Sequence, residues 1–289
     1  VRNVEPADAI RRLQALRAAP GVSADYLDAR LAILSAQAES LGALRDVEPT
    51  AVDPQSPGDA LPVRPETLCF DHDLAGRLLS AVIAASHRPG RGGDALERIA
   101  AAAARRPELV EELALRAAFE PDAAHLAGLS AETGAAAELL LLVGRLVAAP
   151  FVTDAARRLP DLPRQAVAAG GSCPLCGSTP GLASLQSEDG RRVLHCSLCG
   201  WSWPFARLAC PLCEQQDRTR LQRLSVEGEE ARWIEACDRC HGYLKTIDRR
   251  RVADPEDFCP LVEEVATLYL DLLAQREGYT AALPYAAIT

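Results

Sequence analysis

The chain has 289 residues, 48% of them hydrophobic and 25% charged, and a formal net charge of -9. That is enough chain for two modest cores, and its acidic balance argues against a general nucleic-acid binder, which usually carries a basic domain. The opening stretch VRNVEPADAIRRL is charged and lacks a long apolar run, so it does not read as a secretion signal.

Aromatic residues make up only 4% of the chain, and alanine and leucine dominate. This favours a helix-rich body. Residues 5–18 and 23–44 read as helices, with Ser23 placed to cap the second. Prolines 49, 54, 57, 62 and 65 then block regular helix and mark a stiff connector near residues 46–68. Helical periodicity resumes over 70–88 and ends at Arg88-Pro89-Gly90. Further helices are expected over 94–105, 108–119 and 131–148, with Pro107 and Pro121 suited to first turns. The apolar run from Leu139 to Pro150 is too short to span a bilayer and is interrupted by Arg145; it reads as a buried helix. The first domain is therefore expected to be α-helical over residues 1–165.

The pattern changes after Gly170-Gly171. Short β-like runs are expected at 182–187, 191–196, 203–209, 221–226, 231–236 and 243–249. Among them stand four C-x2-C pairs: Cys173/Cys176, Cys196/Cys199, Cys210/Cys213 and Cys237/Cys240. A tetrahedral ion held by four thiolates needs two such pairs, so the region supplies ligands for two ions. In a chain with no secretion signal, this spacing favours metal thiolates over disulfides. The intervals between pairs are 19, 10 and 23 residues. The two long intervals fit hairpins, so sequential pairing is simplest: the first four cysteines in site one, the last four in site two. This is the layout of two successive rubredoxin-like or zinc-ribbon modules, at 166–207 and 208–289, with a closing helix near 256–276. The expected class is α+β.

Gly177 and Gly200 directly follow their knuckles, where glycine permits a positive φ or a close backbone approach, and Gly242 sits two residues after Cys240. Glu214 stands where glycine would be expected after Cys213, which makes that knuckle less regular. His195 and His241 flank ligands but are not needed for either four-thiol site. Cys69 and Cys259 read as packing residues, with His72 one turn from Cys69 as a weak reactive partner. His87 and His125 have no evident acid–base partner. Trp201, Trp203 and Phe205 alternate on one strand; they cover the metal modules or anchor a partner. Arg191/Arg192 and Arg249/Arg250/Arg251 read as solvated strand ends. Residues 173–251 hold 12 Lys+Arg against 10 Asp+Glu, a formal +2. Two divalent ions with eight thiolates turn that negative, so no phosphate-binding field emerges. Nucleotide, serine-hydrolase and zinc-protease motifs are missing from the sequence.

The motifs SCPLCGSTP (172–180), LHCSLCGWSW (194–203), CPLCEQ (210–215), EACDRCHGYLK (235–245) and VEEVATLYLDLLAQREGY (262–279) resemble the FdhE family of formate dehydrogenase accessory proteins. YLDARLAILSAQ (26–37) and AAPFV (148–152) are similar as well. The chain departs from the family at Glu263-Glu264, often an Asp-Asp, and in its tail. The resemblance implies a cytoplasmic maturation chaperone or adaptor that contacts the formate dehydrogenase catalytic subunit. It implies Cys173, Cys176, Cys196 and Cys199 on one ion and Cys210, Cys213, Cys237 and Cys240 on the other, iron being preferred and zinc an alternative. It does not imply catalytic turnover. Two alternatives stand beside it: a sulfur- or electron-transfer enzyme acting at a metal–thiolate site, and a zinc-ribbon nucleic-acid-binding protein.

Overall fold

The computed structural model describes residues 5–18, 22–45, 61–87, 93–119, 122–159, 170–254 and 256–281. Pro49, Pro54, Pro57 and Pro121, the Arg88-Pro89-Gly90 stop and the boundary near 165 lie outside these residues. The chain divides into two compact units. Among the described residues, one unit holds 23–159 and the other holds 5–18, Val22 and 170–281. The first helix therefore groups with the cysteine-bearing unit, unlike the continuous 1–165 domain expected from sequence.

The first unit is helical: α2 (Ala24–Leu44), α3 (His72–Ser86), α4 (Gly93–Arg105), α5 (Glu108–Phe119), α6 (Ala123–Thr133) and α7 (Ala137–Arg158). Ser23 occupies the N-cap of α2 but makes no side-chain hydrogen bond there. Asp71 and Asp122 do cap: their carboxylates accept the Leu74 and His125 amides at 2.8 and 3.0 Å. The expected helix over 131–148 is a correction. Gly134 adopts φ +66 and ends α6, and α7 starts three residues later. Arg98 holds that corner by donating to the Thr133 and Gly134 carbonyls at 3.2 and 2.8 Å. Helix α7 packs against α2, α3, α5 and α6 and forms the axis of the unit. By length and composition α7 could cross a membrane, but 72% of its most apolar stretch is buried.

Among the described residues the second unit is one seven-stranded sheet covered by helices. Its strands are β1 (Pro180–Leu185), β2 (Arg192–Cys196), β3 (Ser202–Pro204), β4 (Leu221–Leu224), β5 (Arg232–Cys237), β6 (Gly242–Asp248) and β7 (Thr280–Ala281). The order is β3-β2-β1-β6-β5-β4, and β7 pairs with β6. Each half is an antiparallel meander, as its hairpin spacing predicts. The halves are not independent ribbons. β1 and β6 pair in parallel, Leu182 opposite Lys245 through Leu185 opposite Asp248. Parallel neighbours need a long crossover, and the second knuckle, the bridge and the β4–β5 hairpin supply it. β6 is thus central, and all seven of its residues are buried.

Tyr243, Lys245 and Ile247 share one face of β6 through the two-residue strand repeat. Tyr243 packs with Ile234, Ala236, Leu270 and Ala274; Ile247 packs with Leu182 and Phe258. The covering helix expected over 256–276 is two helices, α8 (Pro260–Ala266) and α9 (Leu268–Arg276), broken at the fully buried Thr267. Helix α1 (Pro6–Ala15) packs on α8, and Arg12 bonds the Asp257 carbonyl and carboxylate, each at 2.5 Å. The run expected at 203–209 is strand only to Pro204; the chain then turns toward Cys210.

Candidate metal centres

Each four-cysteine set converges. The sulfurs of Cys173, Cys176, Cys196 and Cys199 lie within 4.8 Å of one another, as do those of Cys210, Cys213, Cys237 and Cys240. Cys173–Cys199 and Cys176–Cys196 are 3.6 Å apart; Cys210–Cys240 and Cys213–Cys237 are 3.8 Å apart. A disulfide requires about 2.05 Å. A regular tetrahedron with metal–sulfur bonds of about 2.3 Å has sulfur–sulfur edges of about 3.8 Å. The geometry therefore fits one tetrahedral ion per set.

The knuckles repeat one backbone design. The amides of Cys173, Cys196 and Cys210 donate to carbonyls five residues on, at Ser178, Trp201 and Gln215, over 2.8, 2.8 and 2.9 Å. Gly177, Glu214 and His241 donate back to the carbonyls of Cys173, Cys210 and Cys237, each at 2.8 Å. The turn requires a left-handed residue after the second cysteine. Gly177 and Gly200 supply it at φ 71 and 72; Glu214 and His241 supply it at φ 56 and 54. The knuckle at Glu214 is therefore as regular as the others, contrary to the sequence expectation. Gly242 has another purpose, close approach: a Cβ there would stand 2.4 Å from Leu212 Cδ1.

The sulfurs compete for charge. Burial alone raises the Cys196 thiol, but hydrogen bonds from Cys173, Cys176, Cys199 and the Leu198 amide outweigh it and hold Cys196 well below the usual thiol range. Sharing hydrogens with Cys173 and then Cys196 pushes Cys176 well above it, and sharing with Cys173, Cys176 and Cys196 does the same to Cys199. In site two, burial raises Cys210 and Cys240. Burial would raise Cys237 too, but the Cys240 and Arg239 amides bring it down to about 7. Four thiolates cannot coexist in such a cluster without a cation among them. The Leu198 and Cys199 amides, each 3.4 Å from Cys196 Sγ, add donors that favour sulfur in its charged form.

His195 is not aimed at an ion. Its Nε2 meets Ser184 Oγ and its Nδ1 meets Ser202 Oγ, both at 2.8 Å. Burial, then the charge of Arg249, holds it down to about 3, so it stays neutral. His241 is exposed beside site two. His72 approaches Phe70 and Glu111, while Cys259 is buried at the start of α8. His87 and His125 have carboxylate partners that sequence distance conceals, Glu97 and Glu112, each at 3.0 Å.

Trp203 and Phe205 are buried in this unit. Trp203 Nε1 donates to the Gly170 carbonyl at 3.2 Å, and the Arg192 guanidinium lies 5.7 Å from the Phe205 ring centre. Trp201 is half-buried. Arg192 and Arg249 are not solvated strand ends. Arg192 is fully buried; it pairs with Glu235 at 2.5 Å and donates to the Ala209 carbonyl at 2.9 Å. Arg249 is buried and donates to Gln186 at 3.0 Å. Lys245, the single lysine, gave no sequence signal. Its ammonium is buried and held by Asp271 at 2.8 Å and the Glu264 carbonyl at 3.0 Å.

Two family models match in succession: the FdhE central domain over residues 172–207 and the FdhE C-terminal domain over 208–285. The chain is 36% identical over 110 residues to protein FdhE of Escherichia coli K12, covering 37% of this chain and 34% of that protein. It is 37% identical over 111 residues to an FdhE homolog of Cronobacter sakazakii, covering 37% and 34%. It is 37% identical over 114 residues to one from Shewanella oneidensis, covering 38% and 35%. The matches span about a third of those relatives. The crystal structure of the FdhE protein from Pseudomonas aeruginosa has the same fold, with a TM-score of 0.61 at 22% identity, covering 98% of this chain and 96% of that one.

Proposed function

We propose, because the chain belongs to the FdhE family, that it is a cytoplasmic accessory adaptor for formate dehydrogenase, binding the immature catalytic subunit and assisting its maturation or assembly. The observation that supports this most is the pair of four-thiol clusters on one sheet, inside the matched stretch 172–285. The four sulfurs of each cluster lie within 4.8 Å of one another, so each cluster is suited to holding one four-coordinate ion.

The proposed ligands are Cys173, Cys176, Cys196 and Cys199 for one ion, and Cys210, Cys213, Cys237 and Cys240 for the other. Iron is the proposed metal, with zinc as the alternative. An iron–thiolate centre would supply one-electron redox sensing; zinc would supply rigidity alone. The chain's residues orient the sulfurs, donate amide hydrogen bonds to them and cover site one. Of the aromatic candidates, Trp201 has ring surface left for a partner, whereas Trp203 and Phe205 are used inside the fold.

The test is co-purification of the native chain with a formate dehydrogenase catalytic subunit, alongside metal analysis. Capture should be lost when Cys173 and Cys176 are both replaced by serine while helical circular dichroism persists. Absence of capture at every stage of catalytic-subunit maturation would refute the adaptor role. A second reading, electron transfer, draws on the half-buried Cys213 and Cys240. Reversible reduction of an iron–thiolate absorption band together with turnover of a donor would favour it.

A further inference from the structure

The two clusters differ in access. All four sulfurs of site one are buried, with Cys173 at 1% and Cys199 at 0% exposure. Leu175 and Leu198, which lie between its ligands, are buried too. In site two only Cys210 and Cys237 are buried; Cys213 and Cys240 are half-exposed. The residues beside those two sulfurs, Glu214, Arg239 and His241, are exposed and polar. The backbone repeats the contrast. Site one has glycine at both left-handed positions, while site two places Glu214 and His241 there, where an L side chain is strained.

Exchange of a thiolate-bound ion needs a route for an incoming ligand to the metal, or for a reagent to a sulfur that has let go. Both depend on access at the edge of the tetrahedron. Site one offers no exposed edge. Site two offers the one between Cys213 and Cys240.

We infer that site two is the exchange-competent centre, where a soft divalent cation enters and leaves and a thiol-directed ligand first makes contact, while site one is a closed structural centre. This rests on the two-centre reading above and adds an order to it. The two sites meet at a seam between their knuckles. The Gly171 amide donates to Glu214 Oε1 at 2.9 Å, and a Cβ at Gly171 would stand 1.8 Å from the Pro211 carbonyl oxygen. The approach to Cys173 is thus laid directly on the third knuckle, which carries Cys210 and Cys213 of site two.

The experiment uses the whole chain loaded with zinc, which is redox-silent, and challenged with excess 4-(2-pyridylazo)resorcinol. N-ethylmaleimide pulses followed by peptide mass spectrometry report which thiols are freed. One ion should leave about tenfold or more faster than the other, and Cys213 and Cys240 should be labelled before any sulfur of site one. Cys213→Ser should remove the fast phase and leave the slow one. Two ions leaving together, or site-one cysteines labelled first, would overturn the order. Labelling of the unaltered chain decides the matter if the variant fails to fold. A native chain that binds no ion overturns the two-centre reading itself, and the order falls with it; two ions released at one rate overturn the order alone.

Discussion

Glu214 and His241 hold the same strained backbone position with different consequences. Each sits in the left-handed region that costs an L residue about 1 kcal/mol or more. Glycine removes that strain and returns part of the gain as unfolded-chain entropy. His241→Gly should therefore raise stability by up to about 1 kcal/mol. Glu214→Gly gains the same backbone relief but loses the carboxylate bond to the Gly171 amide, a charge-assisted contact that contributes about 1–2 kcal/mol. Its stability should stay level or fall. Denaturant midpoints of the metal-loaded variants decide this; an equal rise for both would mean the Glu214–Gly171 bond contributes nothing. At this scale the cysteines were legible because spacing alone sets their pairing. Lys245 and Arg192 were not: their burial depends on Asp271, Glu264 and Glu235, which lie far along the chain.

Helix α7 shows how one element satisfies its own irregularity. Pro150 lies inside it and lacks the amide that would bond the carbonyl four residues back, at Leu146. Gln37 on α2 fills that vacancy: its side-chain amide donates to the Leu146 carbonyl at 2.8 Å. Gln37→Leu should strand a buried acceptor and cost about 1–3 kcal/mol. In a Pro150→Ala background the helix regains its own donor, so the same Gln37 substitution should cost about 1 kcal/mol less. Thermal melts of the four-protein cycle measure the coupling; strictly additive losses would show that Gln37 does not serve Leu146. Apolar periodicity located α7 but placed its start too early. Alanine and leucine continue across the break at Gly134, and the arginine that fixes that corner is 36 residues upstream.

On the scale of the whole molecule, local spacing predicted two small ribbons, whereas the chain builds one sheet. The hairpins are local and readable. The β1–β6 pairing joins strands whose partners are 63 residues apart, and neither strand announces it. The same holds for α1, which reads as the first helix of the helical domain yet contributes to the cysteine-bearing unit. It buries Ala9 and Leu13 at 0% and 2% exposure and ties Arg12 to Asp257. Burying a leucine side chain contributes about 2 kcal/mol, and the Arg12 contacts add to it. A zinc-loaded chain lacking residues 1–18 should therefore keep the melting of its helical unit, while the cysteine-bearing unit melts lower and gives up zinc faster. Calorimetry resolves the two transitions if the units unfold separately, and chelator release follows the second unit on its own. Unchanged melting and release in the truncated chain would mean that α1 only decorates the sheet domain. A drop confined to the cysteine-bearing unit would place the functional boundary where the contacts put it, with the first helix and the cysteines on the same side.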